Sequence, residues 1–578
     1  MENNNRAPRE EAEEFNAFNA TSSAPAGEAQ RPQKRPAQKN SAPKKKKNTS
    51  FFKQLDTKTI IIAAAILLVL ILVVGIIIAV ATRDRHIMRK DNAFVLYSDS
   101  NGYHLMSNGY QIEKVFEGEV TLVPADDNSF AYVTEEIEGE LYIYLLKGKK
   151  LEPMTTSGVE EIVDYAGLKP GVVYKEKNTY RLYSEEYGVE TITNNETAED
   201  FMVSGDASTV VYTTAKKDEA DMRELLVFKD GSNERLNSKT NCIPAAISNY
   251  GDYIYASFIK DDVRKLAVFT TKDLDNPQSD IIAESEGFEE VILTNVKGNE
   301  ILFVTTNAVT VEDEETQEMV ETTKTYTKLY RYPKRGDHTA TSLASARMDL
   351  LSSDPDIVYL QDFSDIYLMG SPAEDQSQRG IYHLDKKYEV TRLARYVLPE
   401  SASEDLCTIS PDGKFLYYLN ATKDLIQMNL RSDTYETKEL CFGVEEFYIT
   451  QKGNIYYLDE NMKLFYREAT ARKNLPIADF VTDITFYRYS NTLYFTKEEG
   501  ESIFSTKEGS DENPVKMGDT QVTSLPLFTN PNSKHCYATF YDMDNGGILL
   551  YTSNGKSFKK ITNDCITING FDLTDIFE

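Results

Sequence analysis

Two hydrophobic textures divide the chain. From Ile60 to Ala81 the sequence reads IIIAAAILLVLILVVGIIIAVA, apolar throughout with Gly75 its only pause. As a helix rising about 1.5 Å per residue it spans roughly 33 Å, enough for the hydrocarbon core of a bilayer. A helix buried in a soluble domain keeps a polar stripe, and this stretch begins too far from Met1 and runs too long for a cleaved signal peptide. The pattern predicts one transmembrane helix over 59–82. Residues 1–58 lack sustained apolar periodicity and are rich in Asn, Ala, Pro, Glu and Lys. Such a composition cannot bury enough surface to offset ordering entropy, so a disordered tail is expected.

After Lys90 the texture changes to short β-type runs that recur to the end. The clearest copy is Ile409 to Leu430, ISPDGKFLYYLNATKDLIQMNL. Pro411-Asp412-Gly413 supplies a tight turn, because proline presets φ, Asp bonds nearby backbone and Gly tolerates positive φ. The spacing predicts a strand over Phe415 to Leu419, a turn over Asn420 to Asp424 and an antiparallel return over Leu425 to Leu430.

One aromatic anchor per unit follows the same pattern through the chain: Tyr97, Tyr132, Tyr174, Tyr212, Tyr255, Phe303, Tyr367, Tyr417, Tyr456, Tyr494 and Tyr537. The mean interval is 44 residues, and the widest separates Phe303 from Tyr367. A second strand trails each anchor, as in LYIYLL from Leu141 and KLAVFTT from Lys265. A period of about 44 residues with about four short strands per unit is the signature of a β-propeller blade. One four-stranded sheet cannot bury both faces alone, so such units stack face to face.

Ile409-Ser410-Pro411-Asp412-Gly413-Lys414 with its Leu-Tyr-Tyr strand resembles the repeat of TolB-type propellers. Ser204-Gly205-Asp206 and Ser248-Asn249-Tyr250-Gly251-Asp252 are degenerate forms of that turn. The aliphatic-Tyr pairs Ile254-Tyr255, Ile366-Tyr367 and Ile455-Tyr456 are similar to those of low-density-lipoprotein-receptor propellers. The resemblance covers the region after the hydrophobic stretch and implies an all-β fold of four-stranded blades; propellers host many activities, so it assigns none. Eleven units exceed the usual four to eight blades of one ring. Two tandem rings over 91–345 and 346–578, with the seam in the widest interval, are the expected solution; a single domain over 91–578 is the alternative.

Charge orients this architecture. Residues 1–58 carry 12 basic and 7 acidic residues, net +5, and the remaining 51 basic and 85 acidic residues give −34. Lys44 to Lys47, Lys53 and Lys58 outweigh Arg83, Arg85, Arg89 and Lys90, and basic residues near a span face the cytoplasm. The expectation is a basic cytoplasmic tail and an extracytoplasmic propeller region at the cell membrane. The polybasic stretch Arg31 to Lys58 also suits anionic lipid. An acidic region of this size argues against nucleic acid, whose phosphates need a basic surface.

Catalytic and cofactor signals are weak. Neither G-x-S-x-G nor H-E-x-x-H occurs. The five histidines (His86, His104, His338, His383, His535) are scattered and read as exposed strand or loop residues. With no Trp, the tryptophan-rich docking motifs of quinone-binding propellers are excluded. The cysteines Cys242, Cys407, Cys441, Cys536 and Cys565 include no C-x-x-C; Cys407 with Cys441 and Cys536 with Cys565 are candidate pairs, with buried thiols the alternative. Asp542-Met543-Asp544-Asn545-Gly546-Gly547 superficially resembles a calcium loop but lacks the distal Glu, which favours a hairpin turn. No cofactor and no enzymatic activity are expected.

The most distinctive segment is Thr305 to Thr327, whose flanks alternate as a long hairpin and whose centre carries Glu312, Asp313, Glu314, Glu315, Glu318 and Glu321. Long insertions in repeat proteins mark binding faces, so this acidic tip is the candidate contact for a basic partner, against the alternative of a solvated loop. The functional expectation is a membrane-anchored binding or scaffold module for an envelope protein or polymer. The alternatives are a transmembrane sensor whose tail is the output, or a glycan- or peptide-acting enzyme with an axial site.

Overall fold

Each repeat of the sequence is one small antiparallel sheet. The computed structural model describes Asp91–Leu573 apart from internal stretches, of which 332–355 and 396–406 are the longest. The segments 1–58 and 59–82 lie outside the described residues, and no helix among those described is long and apolar enough to cross a membrane. Among the described residues the strands form eleven sheets, nine of them with four strands in simple chain order. The second sheet is typical, built from Glu119–Pro124, Ala131–Ile137, Glu140–Lys147 and Lys150–Pro153. The predicted Phe415–Leu419 strand is found with those bounds, and its return strand is Leu425–Asn429.

Ten of the eleven aromatic anchors lie on the second strand of their sheet and Tyr97 lies on the middle strand of the five-stranded first sheet, and none is more than 6% exposed. The packing explains why. Second strands are covered on both faces by neighbouring sheets, so Ala131 to Glu135 and Ile455 to Leu458 are buried without alternation. Fourth strands such as Lys150–Pro153 are mostly exposed and read as polar. First strands of consecutive sheets approach one another, as Glu161–Tyr165 does Glu199–Val203 and Glu199–Val203 does Thr240–Ile247, which places the first strands on the inner side.

Each of the first five sheets shares a buried cluster with the next: Leu96 with Val133, Tyr132 with Val172, Val173 with Val210, Val211 with Ile254, and Tyr255 with Phe303. From the seventh to the eleventh the series continues through Ile381 with Leu416, Tyr417 with Phe447, Tyr456 with Phe486, and Tyr487 with Phe540. This face-to-face stacking of four-stranded meanders is a β-propeller architecture.

The last described strands meet the first. Thr567–Ile568 pairs antiparallel with Phe94–Asp99, matching Tyr97 with Ile568 and Ser98 with Thr567, and Phe571–Asp572 pairs with Thr567–Ile568 in turn. The C-terminus thereby supplies the first sheet with the inner strand that its own sequence lacks. Ile568 and Leu573 enter a cluster with Val95, Tyr97, Tyr537 and Leu549, so the eleventh sheet packs on the first. At the same seam Asp91 lies 3.5 Å from Lys534 Nζ, and Gly109 N donates to Tyr537 Oη at 2.8 Å. Gly109 has φ +78, and a Cβ there would strike the Tyr551 ring.

The tyrosine-rich core makes the fold sensitive to alkali. Burial raises Tyr97, Tyr165, Tyr466 and Tyr551 from 10.0 to about 12. These groups favour the neutral folded state, so their stabilisation is complete below pH 10 and is lost as pH rises through about 12. Loss of the β-sheet circular dichroism signal is therefore expected between those pH values, coincident with tyrosinate absorbance. Complete ionisation of the tyrosines by pH 10 with the fold intact is the contrary result.

Candidate functional site

Four of the turns joining first to second strands share one device. Ser410 Oγ accepts from Lys414 N (3.1 Å) and Phe415 N (3.0 Å) and donates to Asp412 Oδ1 (2.8 Å). Lys414 and Ser410 hold the Asp412 carboxyl at about 2. Ser204 repeats the arrangement with Ser208 N, Thr209 N and Asp206 Oδ1, and Ser248 Oγ accepts from Tyr253 N. The degenerate forms are thus the same turn. A further copy, Thr450 to Asn454, escaped sequence reading because Thr-Gln-Lys-Gly replaces Ser-Pro-Asp-Gly; there Thr450 Oγ1 accepts from Asn454 N at 3.1 Å.

Where the turns joining first to second strands of the eighth to eleventh sheets converge, they surround a cavity of about 310 Å³. Thr408 and Ile409 come from the inner strand Cys407–Ile409, Phe447 to Ile449 from Val444–Ile449, and Phe486 from Val481–Tyr487. The turns add Pro411, Gln451, Arg488, Asn491 and Asn532. Tyr448 and Phe486 stack with centroids 5.4 Å apart, and the Tyr448 hydroxyl donates to Glu446 Oε1 at 2.7 Å. The lining is therefore aromatic, amide, hydroxyl and guanidinium. Among the described residues of the lining there is no carboxylate and no histidine.

A buried carboxylate fixes two walls of this cavity. Glu508, with a side chain 6% exposed, accepts from Thr450 Oγ1 (2.6 Å), Asn454 Nδ2 (2.7 Å) and Asn491 Nδ2 (3.2 Å), and lies 3.2 Å from Lys452 Nζ. Asn491 Oδ1 in turn accepts from Gln451 N at 3.2 Å. Asn491 holds φ +50, a left-handed value that Asn tolerates better than most residues. Nothing local in Lys507-Glu508-Gly509 signals this role, because every partner of the carboxylate comes from another turn.

The acidic candidates sit elsewhere, on the sixth sheet. Glu300–Glu312 and Met319–Arg331 pair without a break from Glu300 with Arg331 to Glu312 with Met319, placing Glu321 opposite Thr310. The neighbouring strand Gly287–Thr294 ends its pairing at Thr306, so 307–312 and 319–324 continue as a two-stranded hairpin among the described residues. Asp313, Glu314, Glu315 and Glu318 lie outside the described residues.

Other motifs resolve into packing. Cys536–Asp542 and Gly546–Thr552 pair up to Asp542 with Gly546, a hairpin as expected. No disulfide joins the cysteines; all five are buried, and burial raises Cys536 to about 11 and Cys565 to about 12. His104 lies 2.9 Å from Asp99 Oδ1, and His535 Nδ1 lies 2.6 Å from Tyr551 Oη. His383, read as exposed, is buried: it sits on the third strand of its sheet, stacked on Tyr367 at 4.5 Å. His86 and His338 lie outside the described residues.

No protein-family model matches the chain, and no curated protein does. Among solved structures it is similar to the tricorn protease (10% identity, TM-score 0.27), covering 82% of this chain and 59% of that one. It is similar to TolB from Acinetobacter baumannii (13%, 0.24), covering 42% and 60%, and to dipeptidyl peptidase 4 from Porphyromonas gingivalis (12%, 0.31), covering 77% and 59%. The chain thus spans less than two thirds of each of these three. The propeller assignment rests on the sheet order and stacking described above.

Proposed function

We propose that this protein is a single-pass membrane-anchored propeller whose extracytoplasmic region binds an envelope protein or polymer. The observation that carries the reading is the cavity among the eighth to eleventh sheets, whose amide, hydroxyl, aromatic and guanidinium lining suits recognition. The pairing of the last strands with the first favours one ring of eleven sheets over two tandem rings. The apolar stretch Ile60 to Ala81 and its basic flank supply the anchor and the orientation. The acidic hairpin from Glu300 to Arg331 is a second contact surface for a basic partner.

Two measurements test the reading. Protease added to intact cells should remove the region after Lys90 and spare the tail. Full-length protein in detergent should capture either solubilised envelope protein or purified wall polymer, and replacing Glu312–Glu321 with Gly/Ser should weaken a protein partner about tenfold, as for loss of several charge pairs. Protection of the propeller on intact cells, or capture of neither material, would overturn it.

A further inference from the structure

Two successive sheets each present an exposed phenylalanine in the linker to the next. The fourth strand of the eighth sheet, Thr437–Cys441, leads through Phe442 and Gly443 to Val444. The fourth strand of the ninth, Leu475–Ala478, leads through Asp479 and Phe480 to Val481. Phe442 is 70% exposed and Phe480 60%. Between the linkers lies the turn that joins Ile455–Asp459 to Leu464–Arg467. Glu460 N donates to Gly443 O and Val481 N to Met462 O, both at 2.9 Å. Both linkers are thus fastened to one turn, with an exposed ring on either side of it.

The backbone at Phe480 adds an independent sign. Gly443 and Phe480 each precede the valine that opens a first strand, and both hold left-handed φ, +58 and +61. Glycine enters that region without steric cost, whereas a bulky side chain there is an outlier. A ring this exposed recovers little of the cost by burial, so neither packing nor backbone preference explains it. Strain of this kind collects at ligand clamps, which points to a contact outside the chain.

Charge selects the partner. The segments 420–424, 442–446, 459–463 and 479–483 together carry seven Asp and Glu against Lys423 and Lys463, net −5. Lys423 lies 2.5 Å from Glu445 and Lys463 lies 3.8 Å from Asp479, so both lysines are already matched by carboxylates of the same surface. These pairs are exposed and yield cheaply to an incoming charge. A surface of this sign repels anionic lipid and acidic polymer and attracts basic residues.

We infer that Phe442, Phe480 and the turn between them are the docking site of a basic protein segment, which seats an apolar side chain against the two rings and places lysine or arginine among Glu445, Glu460 and Asp479. The inference rests on the binding-module reading and names the class of its partner. In each meander the turn joining second to third strands leaves on the side of these linkers, so the hairpin from Glu300 to Arg331 extends the same acidic face.

The test titrates full-length protein in phosphatidylcholine nanodiscs into a fluorescent lysine–glycine peptide with one central phenylalanine. Fluorescence anisotropy should show it bound at least about tenfold more tightly than a version with alanine for phenylalanine, as for loss of one anchor side chain. A version with glutamate for lysine should not bind. Phe442→Ala should weaken the peptide about tenfold with an unchanged urea midpoint. Phe480→Gly should weaken it as much while the midpoint stays equal or rises, because glycine relieves the left-handed backbone. Glu460→Lys should weaken it most at low salt, where exposed charges are least screened. Tyr187→Ala, exposed in a turn between third and fourth strands, should change nothing. Equal binding of the alanine peptide, insensitivity to both phenylalanine substitutions, a midpoint lowered by Phe480→Gly, or no binding overturns the inference. Binding of phosphatidylglycerol vesicles that Phe480→Gly abolishes would assign the face to lipid and overturn it too. Envelope capture that survives Phe442→Ala and Phe480→Gly would leave the binding-module reading standing while this one falls.

Discussion

Deleting residues 566–578 is expected to cost about 5 kcal/mol or more, a large share of the roughly 5–15 kcal/mol that holds a typical domain together. The deletion removes Ile568 and Leu573, which are 3% and 1% exposed in the cluster that joins the eleventh sheet to the first. Truncating one such aliphatic side chain alone costs about 2–5 kcal/mol. It also removes the bonds from Ile566 N to Ser98 O (2.8 Å) and from Asn569 N to Leu96 O (2.7 Å), and the Asn569 Oδ1 acceptor of Leu96 N. Phe94–Asp99 would then present an unpaired edge and an uncovered apolar face. Urea unfolding should show a lowered midpoint, and limited proteolysis should cut first within 91–111. Ile568→Asp should reproduce much of the loss by placing a charge in the same cluster. A deletion variant with an unchanged midpoint would show that the seam contributes little to stability.

Glu508→Ala is the second large effect, with an expected loss of about 3 kcal/mol. The carboxylate accepts three side-chain hydrogen bonds and one lysine contact while nearly buried. Removing it strands donors on Thr450, Asn454 and Asn491, and a stranded buried donor costs about 1–3 kcal/mol. Glu508→Gln keeps an acceptor and should lose less than half as much. Because Asn491 and Gln451 line the cavity and are tied to this hub, Glu508→Ala should also weaken ligand at the pocket beyond what the stability change explains. Chemical denaturation of the three proteins checks the order, and equal stability of Glu508→Ala and wild type would remove the hub from the account.

Much of the fold was legible because it is local. The second strands announced themselves as aliphatic-aromatic runs, since a strand covered on both faces must be apolar at successive positions, and ten of the eleven anchors proved to lie on such strands, Tyr97 lying on the middle strand of the first sheet. The Pro411-Asp412-Gly413 turn was readable from residue chemistry alone, and Ser410 satisfies its backbone as that chemistry requires. The long hairpin from Glu300 to Arg331 was visible as alternation. The cavity was not legible, since Thr408, Tyr448, Phe486 and Asn532 stand in four different repeats and nothing in a repeat says which neighbour its inner strand will face. His383 was misread because its burial depends on Tyr367, on the strand beside it, and on Tyr435 beyond its own sheet.

The sequence by itself determined the repeat number, the strand carrying each anchor and the chemistry of the turns, because these follow from periodicity and φ preferences over a few residues. Tertiary structure alone decided that Thr567–Ile568 completes the first sheet, that Glu508 ties the turns of the ninth and tenth sheets, and that four turns enclose one cavity. Those outcomes join residues tens to hundreds of positions apart. They are set by how stacked sheets bury their faces and satisfy their polar groups, a constraint on the closed assembly that no single repeat contains.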